Sequence, residues 1–213
     1  MNINEFFEKY NKVAIAFSGG VDSAYLLYCA KECNADAKAY YVKSQFQPQF
    51  EYNDAIRLAK EIGIPLKVIE LDVLSVDRVR RNDELRCYYC KNEIFSKIQC
   101  AAIADGYNVI LDGTNASDSA EDRPGMKALT ELGVLSPLRL CGLEKGRIRE
   151  LCKKAGLFVW NKPAYACLAT RIKPHEAITA DALGKVEKAE LFMMKLGFSN
   201  HRVRVTKDTA NII

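Results

Sequence analysis

The stretch KVAIAFSGGVDS, residues 12–23, contains the change of pattern that decides the fold. Its first half, residues 12–17, is a short apolar run, which is typical of a strand that is covered on both faces. From Ser23 onward, Leu26 and Ala30 recur at helical spacing and form one apolar stripe. Two glycines lie between these patterns. The stretch therefore predicts a buried strand, a tight turn and a helix that begins near Ser23.

The same alternation of strand and helix continues along the chain. We predict a strand at 38–42, a helix at 51–62 that Gly63 ends, and a strand at 66–71. This β-α-β-α-β order within about seventy residues is typical of a parallel sheet. Further predicted elements are helices at 87–104, 144–155 and 180–196, and strands at 108–111 and 201–205. We expect an α/β protein with a doubly wound, Rossmann-like parallel sheet in residues 1–165 and a small C-terminal part in residues 166–213.

The composition restricts the class of protein and its partners. Of 213 residues, 49% are hydrophobic and 27% charged, and the net charge is +4. This excludes a disordered chain, and it makes nucleic acid an unfavoured partner and a small anion a favoured one. No apolar run approaches the roughly 20 residues of a membrane helix, so we expect a cytoplasmic protein without a membrane segment. In a reducing compartment, the eight cysteines indicate metal ligands or reactive sulfur rather than disulfides.

The loop SGGVDS, residues 18–23, has the chemistry of a phosphate cradle. Its glycines let backbone N–H groups approach an anion, and the following helix directs its positive end at the same place. The loop lacks the Gly-Lys-Ser/Thr ending of a Walker A motif and the G-x-G-x-x-G of a dinucleotide fold, which argues against kinase-type NTPases and dehydrogenases. The alternative is a tight turn with a serine N-cap and no ligand.

This loop resembles the PP-loop of the ATP pyrophosphatase superfamily. The resemblance implies that ATP binds here, that it is cleaved between its α- and β-phosphates, and that a substrate oxygen is adenylated. It also implies that Asp22 binds Mg²⁺ and takes part in catalysis, in keeping with the preference of Mg²⁺ for carboxylates and phosphate oxygens. The residues that the resemblance assigns to the pyrophosphate are Ser18, Gly19, Gly20 and Ser23.

Three cysteines stand apart from the apolar stripes. Cys87 and Cys90 have i, i+3 spacing, and Arg86, Lys91 and a helix N-terminus are predicted to lower their thiol pKa values. Zinc would require further donors, and no second CxxC exists in the sequence. Cys167 lies in an aperiodic segment. Three thiols suit a [4Fe-4S] cluster with one corner left open, and the alternative is that each is merely a small buried side chain.

The motifs together resemble the LarE family over nearly the whole chain. Their order is the PP-loop, RCYYCK at 86–91, GTN at 113–115 with DRPG at 122–125, and Lys162-Pro163 followed by CLATR at 167–171. The resemblance implies adenylation of a carboxylate of pyridinium-3,5-biscarboxylic acid mononucleotide and its conversion to a thiocarboxylate, for the nickel-pincer nucleotide cofactor. The sulfur would come either from Cys167 itself or from a cluster carrying an extra sulfide. Because all three thiols are present, we favour a cluster on Cys87, Cys90 and Cys167.

Further site residues follow from the resemblance and from the chemistry of arginine. Gly113, Thr114 and Arg123 are expected to bind the nucleotide. Arginine matches phosphate oxygens at two points, which suggests substrate binding by Arg171, Arg202 and Arg204, with Glu190 as a further substrate contact. Solvated strand and helix faces are the alternative for Arg202, Arg204 and Glu190. Asp112 either assists metal or ribose binding or forms a turn.

Other functions remain open from the sequence alone. A tRNA thiolation enzyme of the same superfamily would keep the chemistry and change the substrate. A nucleotide-binding or metal-storage module would have no turnover. We expect a mononucleotide substrate, a sulfide donor and a homo-oligomer. The family continues beyond the Arg-x-Arg strand, whereas this sequence ends at Ile213, so the C-terminal part is either naturally short or truncated.

Overall fold

A computed structural model describes residues 1–118, 124–205 and 209–213. Its centre is a four-stranded parallel sheet with the order β3-β2-β1-β4. The strands are β1 Lys12–Ala16, β2 Asp36–Lys43, β3 Leu66–Glu70 and β4 Ile110–Leu111, followed by an antiparallel pair of β5 Val203–Val205 and β6 Ala210–Ile212. The predicted α/β fold with a parallel sheet is confirmed.

Nine α-helices are described, and the four predicted at 51–62, 87–104, 144–155 and 180–196 are present within two residues of those bounds. They are α1 Ile3–Lys9, α2 Val21–Glu32, α3 Gln49–Ile62, α4 Asp77–Arg80, α5 Arg86–Ala104, α6 Pro124–Glu131, α7 Pro137–Leu140, α8 Lys145–Lys154 and α9 Ala180–Lys195. The predicted start of α2 at Ser23 is wrong. Gly20 is the N-cap, and Ser23 lies inside the first turn with its hydroxyl donating to the Gly20 carbonyl at 3.1 Å.

None of the helices among the described residues is long and apolar enough to cross a membrane.

Strand β1 is buried on both faces, as its unbroken apolar pattern predicts. Val13 and Ile15 point to one side, where they pack with α1, α2, α3 and α8. Ala14 points to the other side, where it packs with α5 and α6. Successive side chains of a strand alternate between its faces, so this single strand joins two cores and carries the loop 18–23 at its carboxyl end.

A third apolar cluster lies among the loops that follow β2 and β3. Phe46, Val73 and Val79 from those segments pack against Leu168 and Ile172. The Leu168 N–H donates to the Phe46 carbonyl at 2.9 Å. The segment that the sequence left aperiodic is therefore ordered by two 3₁₀ turns, Phe158–Asn161 and Leu168–Arg171. This packing brings Cys167 to the same end of the sheet as the glycine loop. The domain boundary at 165/166 stays a prediction.

Candidate active site

The loop 18–23 is folded around two serine hydroxyls. The Ser18 and Ser23 Oγ atoms are 3.0 Å apart, and the Gly20 N–H donates to Ser18 Oγ at 3.3 Å. Gly19 has φ of +74°, and a Cβ there would lie 3.0 Å from the Cβ of Ala55. Only glycine combines this backbone conformation with so close an approach. The unpaired amides at the start of α2 face the same place, which is the arrangement that binds anions.

The loop after β4 packs directly against the start of α2. A Cβ on Gly113 would lie 2.8 Å from the Ser23 nitrogen. The Asp112 carboxylate accepts from the Thr114 N–H at 3.3 Å and from the Ser136 hydroxyl at 2.6 Å. Asp112 therefore forms turn contacts, in agreement with the turn interpretation. Gly113 and Thr114 lie beside the cradle, and Arg123 lies outside the described residues.

Asp22 belongs to the loop 18–23 and lies in the first turn of α2. Its Oδ2 accepts from the Lys145 ammonium at 2.5 Å. Its Oδ1 is buried and has no hydrogen-bond partner among the described residues. Burial raises the pKa of the Asp22 carboxyl, and the bond from Lys145 opposes this shift. A buried carboxylate oxygen without a donor, next to a phosphate cradle, fits a divalent cation.

A cavity of about 230 Å³ connects the cradle with Cys167. Ser18, Gly20 and Val21 line it on one side, and Tyr165 and Cys167 line it on the other. Its remaining lining residues are Phe46, Gln47, Pro48, Glu51, Lys162 and Pro163. The structure thus brings together two motifs that are far apart in the sequence, and a nucleotide in the cradle would lie beside a sulfur atom.

Of the three predicted cluster cysteines, Cys167 lines this cavity. Cys90 and Cys167 pack against the third apolar cluster, whereas Cys87 is exposed. Each thiol affects the ionisation of another, since Cys167 and Cys87 raise the pKa of Cys90 and Cys87 raises that of Cys167. The Arg86 guanidinium joins the two segments by donating to Cys87 Sγ at 3.4 Å and to the Ala169 carbonyl at 3.1 Å.

The predicted lowering of the thiol pKa is wrong for Cys90. Burial raises the pKa of Cys90 to about 12, and the opposing charges of Arg86 and Lys91 are too weak to reverse it. Burial also raises the pKa of Cys167. Both thiols are therefore protonated at neutral pH. Among the described residues, no group of three or more His, Cys, Asp or Glu side chains is placed to hold a metal ion. The [4Fe-4S] cluster stays a prediction.

Two of the predicted substrate contacts bind each other. Arg171 Nε donates to Glu190 Oε1 at 2.8 Å and Nη2 donates to Oε2 at 3.0 Å. Arg171 Nη1 donates to the Ala166 and Cys167 carbonyls at 2.7 and 3.3 Å. The pair is buried, with only 2% of Arg171 exposed. This arrangement holds the backbone at Cys167, and substrate binding by either residue stays a prediction.

A second cavity, of about 350 Å³, adjoins the first and shares Lys162, Pro163 and Tyr165 with it. Arg202 and His201 line its far side. The Nδ1 atom of His201 is buried without a partner in the described part of the chain. The remaining lining residues are Phe50, Ala164, Arg171, Met194, Phe198, Ser199 and Asn200. Arg204 is exposed on β5 and is not part of this lining.

Sequence reasoning assigned no role to the lysine between the two cavities. Lys162 Nζ lies 3.1 Å from Glu51 Oε1 and 2.6 Å from Asp54 Oδ2, and only 16% of the Lys162 side chain is exposed. Burial raises the pKa of Glu51, and the charge of Lys162 opposes the shift. The sequence singles out the Lys162-Pro163 motif. The carboxylate partners of Lys162 are more than a hundred positions earlier in the chain.

The sheet order and the glycine loop at the carboxyl end of β1 define the class of protein. The chain is a PP-loop protein of the ATP pyrophosphatase superfamily. It belongs to the LarE family, because it is 33% identical, over 94% of its length, to the pyridinium-3,5-bisthiocarboxylic acid mononucleotide synthase of Lactiplantibacillus plantarum and covers 74% of that protein.

Other relatives are consistent with this assignment. An uncharacterised protein of Synechocystis is 35% identical over 99% of this chain and 79% of its own length. A tRNA-specific 2-thiouridylase of Pseudothermotoga lettingae is 29% identical over 71% of this chain and 54% of its own length. No protein-family profile matches the chain.

Proposed function

We propose that this protein is an ATP-dependent sulfurtransferase that acts on a carboxylate of pyridinium-3,5-biscarboxylic acid mononucleotide. The observation that carries the proposal is the common cavity of the phosphate cradle and Cys167. A carboxylate is a poor electrophile, and adenylation makes it a good one for a sulfur nucleophile. The phosphate cradle would serve the adenylation, and the sulfur of Cys167 on the same cavity would serve the sulfur transfer. The name of the Lactiplantibacillus relative supports the substrate class.

The adenylation half begins at the loop 18–23. Its amides and the Ser18 and Ser23 hydroxyls hold the β,γ-pyrophosphate, and Asp22 would hold Mg²⁺. When bound, Mg²⁺ neutralises phosphate charge. A substrate carboxylate oxygen forms a bond to the α-phosphorus as the bond from that phosphorus to the β-bridging oxygen breaks. Pyrophosphate leaves with the bonding electrons, and an acyl adenylate remains.

Lys162 is placed to assist this transfer. Its ammonium lies at the junction of the cradle cavity and the second cavity, between Glu51 and Asp54. Negative charge on the α-phosphate increases during the transfer, and a fixed cation in a partly desolvated site stabilises it. The neighbouring carboxylates hold the lysine side chain in this position until the nucleotide arrives.

The second cavity suits the mononucleotide. Arg202 is exposed at its edge and matches a phosphate group, while His201 offers a buried nitrogen without a partner. Phe50 and Tyr165 provide aromatic faces for a cationic pyridinium ring. A substrate held here directs its carboxylate toward the shared residue Lys162.

The sulfur half depends on Cys167. Cys87, Cys90 and Cys167 would hold a [4Fe-4S] cluster, which when bound supplies an exchangeable sulfide for repeated turnover. The support for this donor set is that Cys90 and Cys167 pack against the same apolar cluster and that Arg86, beside Cys87, bonds to the Ala169 carbonyl. The raised pKa values of Cys90 and Cys167 favour neutral thiols in the metal-free protein, and metal binding releases these protons. In the alternative route, Cys167 gives up its own sulfur, which allows one turnover.

Four measurements test this function. Pyrophosphate release with ATP and the biscarboxylate mononucleotide tests adenylation, and no release with any carboxylate supports a module without turnover. Product mass spectrometry tests sulfur transfer, and Cys167→Ala abolishes it while Cys100→Ala, on the exposed side of α5, does not. Anaerobic iron and sulfide analysis with turnover counting separates the two sulfur routes. Strongly salt-dependent tRNA binding would instead support a tRNA thiolase.

A further inference from the structure

The ammonium of Lys145 occupies one side of the Asp22 carboxylate. The distance from Lys145 Nζ to Asp22 Oδ2 is 2.5 Å, and about a third of the lysine side chain is exposed. The other oxygen, Oδ1, is buried and has no partner in the described part of the chain. One cation is therefore already bound to the carboxylate that the proposed function assigns to Mg²⁺.

Helix α8 fixes the position of this lysine. Lys145 is the first residue of α8, and its backbone N–H donates to Ser117 Oγ at 3.0 Å. Ile148 and Cys152 on the same helix are fully buried. Cys152 Sγ lies 3.6 Å from the Val21 carbonyl, next to Asp22 itself. The packing of α8 on α2 thus sets the ammonium against the start of α2.

Two cations that share one carboxylate repel each other. Added negative charge nearby offsets this repulsion. In the nucleotide-free protein, the ammonium is paired with one oxygen of Asp22, and a free divalent cation must compete with it. When the cation arrives with a triphosphate, the phosphate oxygens supply enough negative charge for both. The local charge balance therefore differs between free and nucleotide-bound protein.

We propose that Lys145 is a positioning residue that makes divalent-cation binding at Asp22 depend on the nucleotide. In the free protein it competes with the metal, and with bound nucleotide it is released to phosphate oxygens. The inference rests on the proposed function only for the place of the triphosphate and for the divalent cation at Asp22. It requires neither adenylation nor sulfur transfer.

The experiment uses Mn²⁺, a paramagnetic stand-in that also prefers oxygen ligands, titrated into the nucleotide-free chain and followed by electron paramagnetic resonance. We expect Lys145→Met to bind Mn²⁺ at least about tenfold more tightly than wild type, a gain of roughly 1.4 kcal/mol. Asp22→Asn in the same background should remove the gain. Lys154→Met, an exposed lysine of the same helix, should bind as wild type does.

A second variant and a second condition keep the test decisive. Lys145→Gln retains length and hydrogen bonding without charge, and it should also gain Mn²⁺ affinity. With a non-cleavable ATP analogue present, the advantage of the two variants over wild type should shrink or reverse. Unchanged Mn²⁺ affinity in the folded variants, or a gain that survives Asp22→Asn, overturns the inference. Neither result depends on pyrophosphate release, so failure of the proposed function is detected separately.

Discussion

The Arg171 guanidinium and the Glu190 carboxylate form a two-point ion pair beneath the Cys167 backbone. Both residues are buried, with 2% and 0% of their surfaces exposed. The tyrosine hydroxyl of Tyr165 also donates to this carboxylate. A segment with little regular structure is thereby fixed by side-chain bonds, and its conformation depends on one buried pair of charges.

Removal of one partner of this pair should destabilise the fold. Arg171→Met leaves the Glu190 charge buried without its main partner, which typically costs about 3–5 kcal/mol. Urea unfolding measures the loss, and we expect the double variant Arg171→Met with Glu190→Leu to recover part of it. If Arg171→Met had the stability of the wild type and only its KM rose, the result would contradict the structural role. It would favour a direct substrate contact.

A side chain on Gly113 should disrupt the phosphate cradle. Gly113→Ala places a Cβ 2.8 Å from the Ser23 nitrogen, so the loop after β4 or the start of α2 must shift. We expect a destabilisation of about 1–3 kcal/mol and weaker ATP binding by calorimetry. Gly184→Ala is the matched control, since no atom lies within 4 Å of its added Cβ. Equal ATP affinity in both variants would contradict the close approach.

Loss of the Lys162 charge should slow adenylation more than it weakens ATP binding. Lys162→Met removes the cation at the junction of the two cavities, and we expect pyrophosphate release to fall by about 100-fold. The Kd for ATP should change far less, and Lys162→Arg should restore part of the rate. Arg57→Met on α3, an exposed residue paired with Glu61, serves as the control. If ATP binding weakened as much as pyrophosphate release slowed, Lys162 would have a structural role instead.

Cys90 should resist alkylation in the metal-free protein up to alkaline pH. Burial raises its folded pKa to about 12, whereas an unperturbed thiol has a pKa of about 8.5. The neutral thiol therefore stabilises the fold below about pH 8.5, and this stabilisation is lost as the pH rises through the folded pKa. Iodoacetamide labelling with mass spectrometry from about pH 7 to about pH 10 measures this, with exposed Cys100 as the reference. Equal labelling of the two at neutral pH would contradict the burial.

The sequence predicted those parts of the molecule that depend on local pattern. The apolar run at β1, the glycine loop and the cap at Gly63, with φ of +79°, are local features, and each lies where the pattern places it. The start of α2 was missed because a glycine, rather than a serine, serves as its N-cap. A side-chain cap is one solution for the first amides of a helix, and a bound anion is another.

Interactions across long sequence separations were not predictable. Lys145 is 123 positions from Asp22, and Lys162 is 108 positions from Asp54. No local pattern indicates such pairs. The predicted direction of the Cys90 pKa shift was wrong for the same reason. Neighbouring charges at Arg86 and Lys91 are visible in the sequence, whereas the burial of Cys90 results from packing by residues far along the chain.

The backbone bond between Leu168 and Phe46 joins the segment that carries the sulfur to the strand-end loop that borders the nucleotide cavity. A displacement of either segment is therefore transmitted to the other, so a change of the cavity on the Phe46 side also moves Cys167.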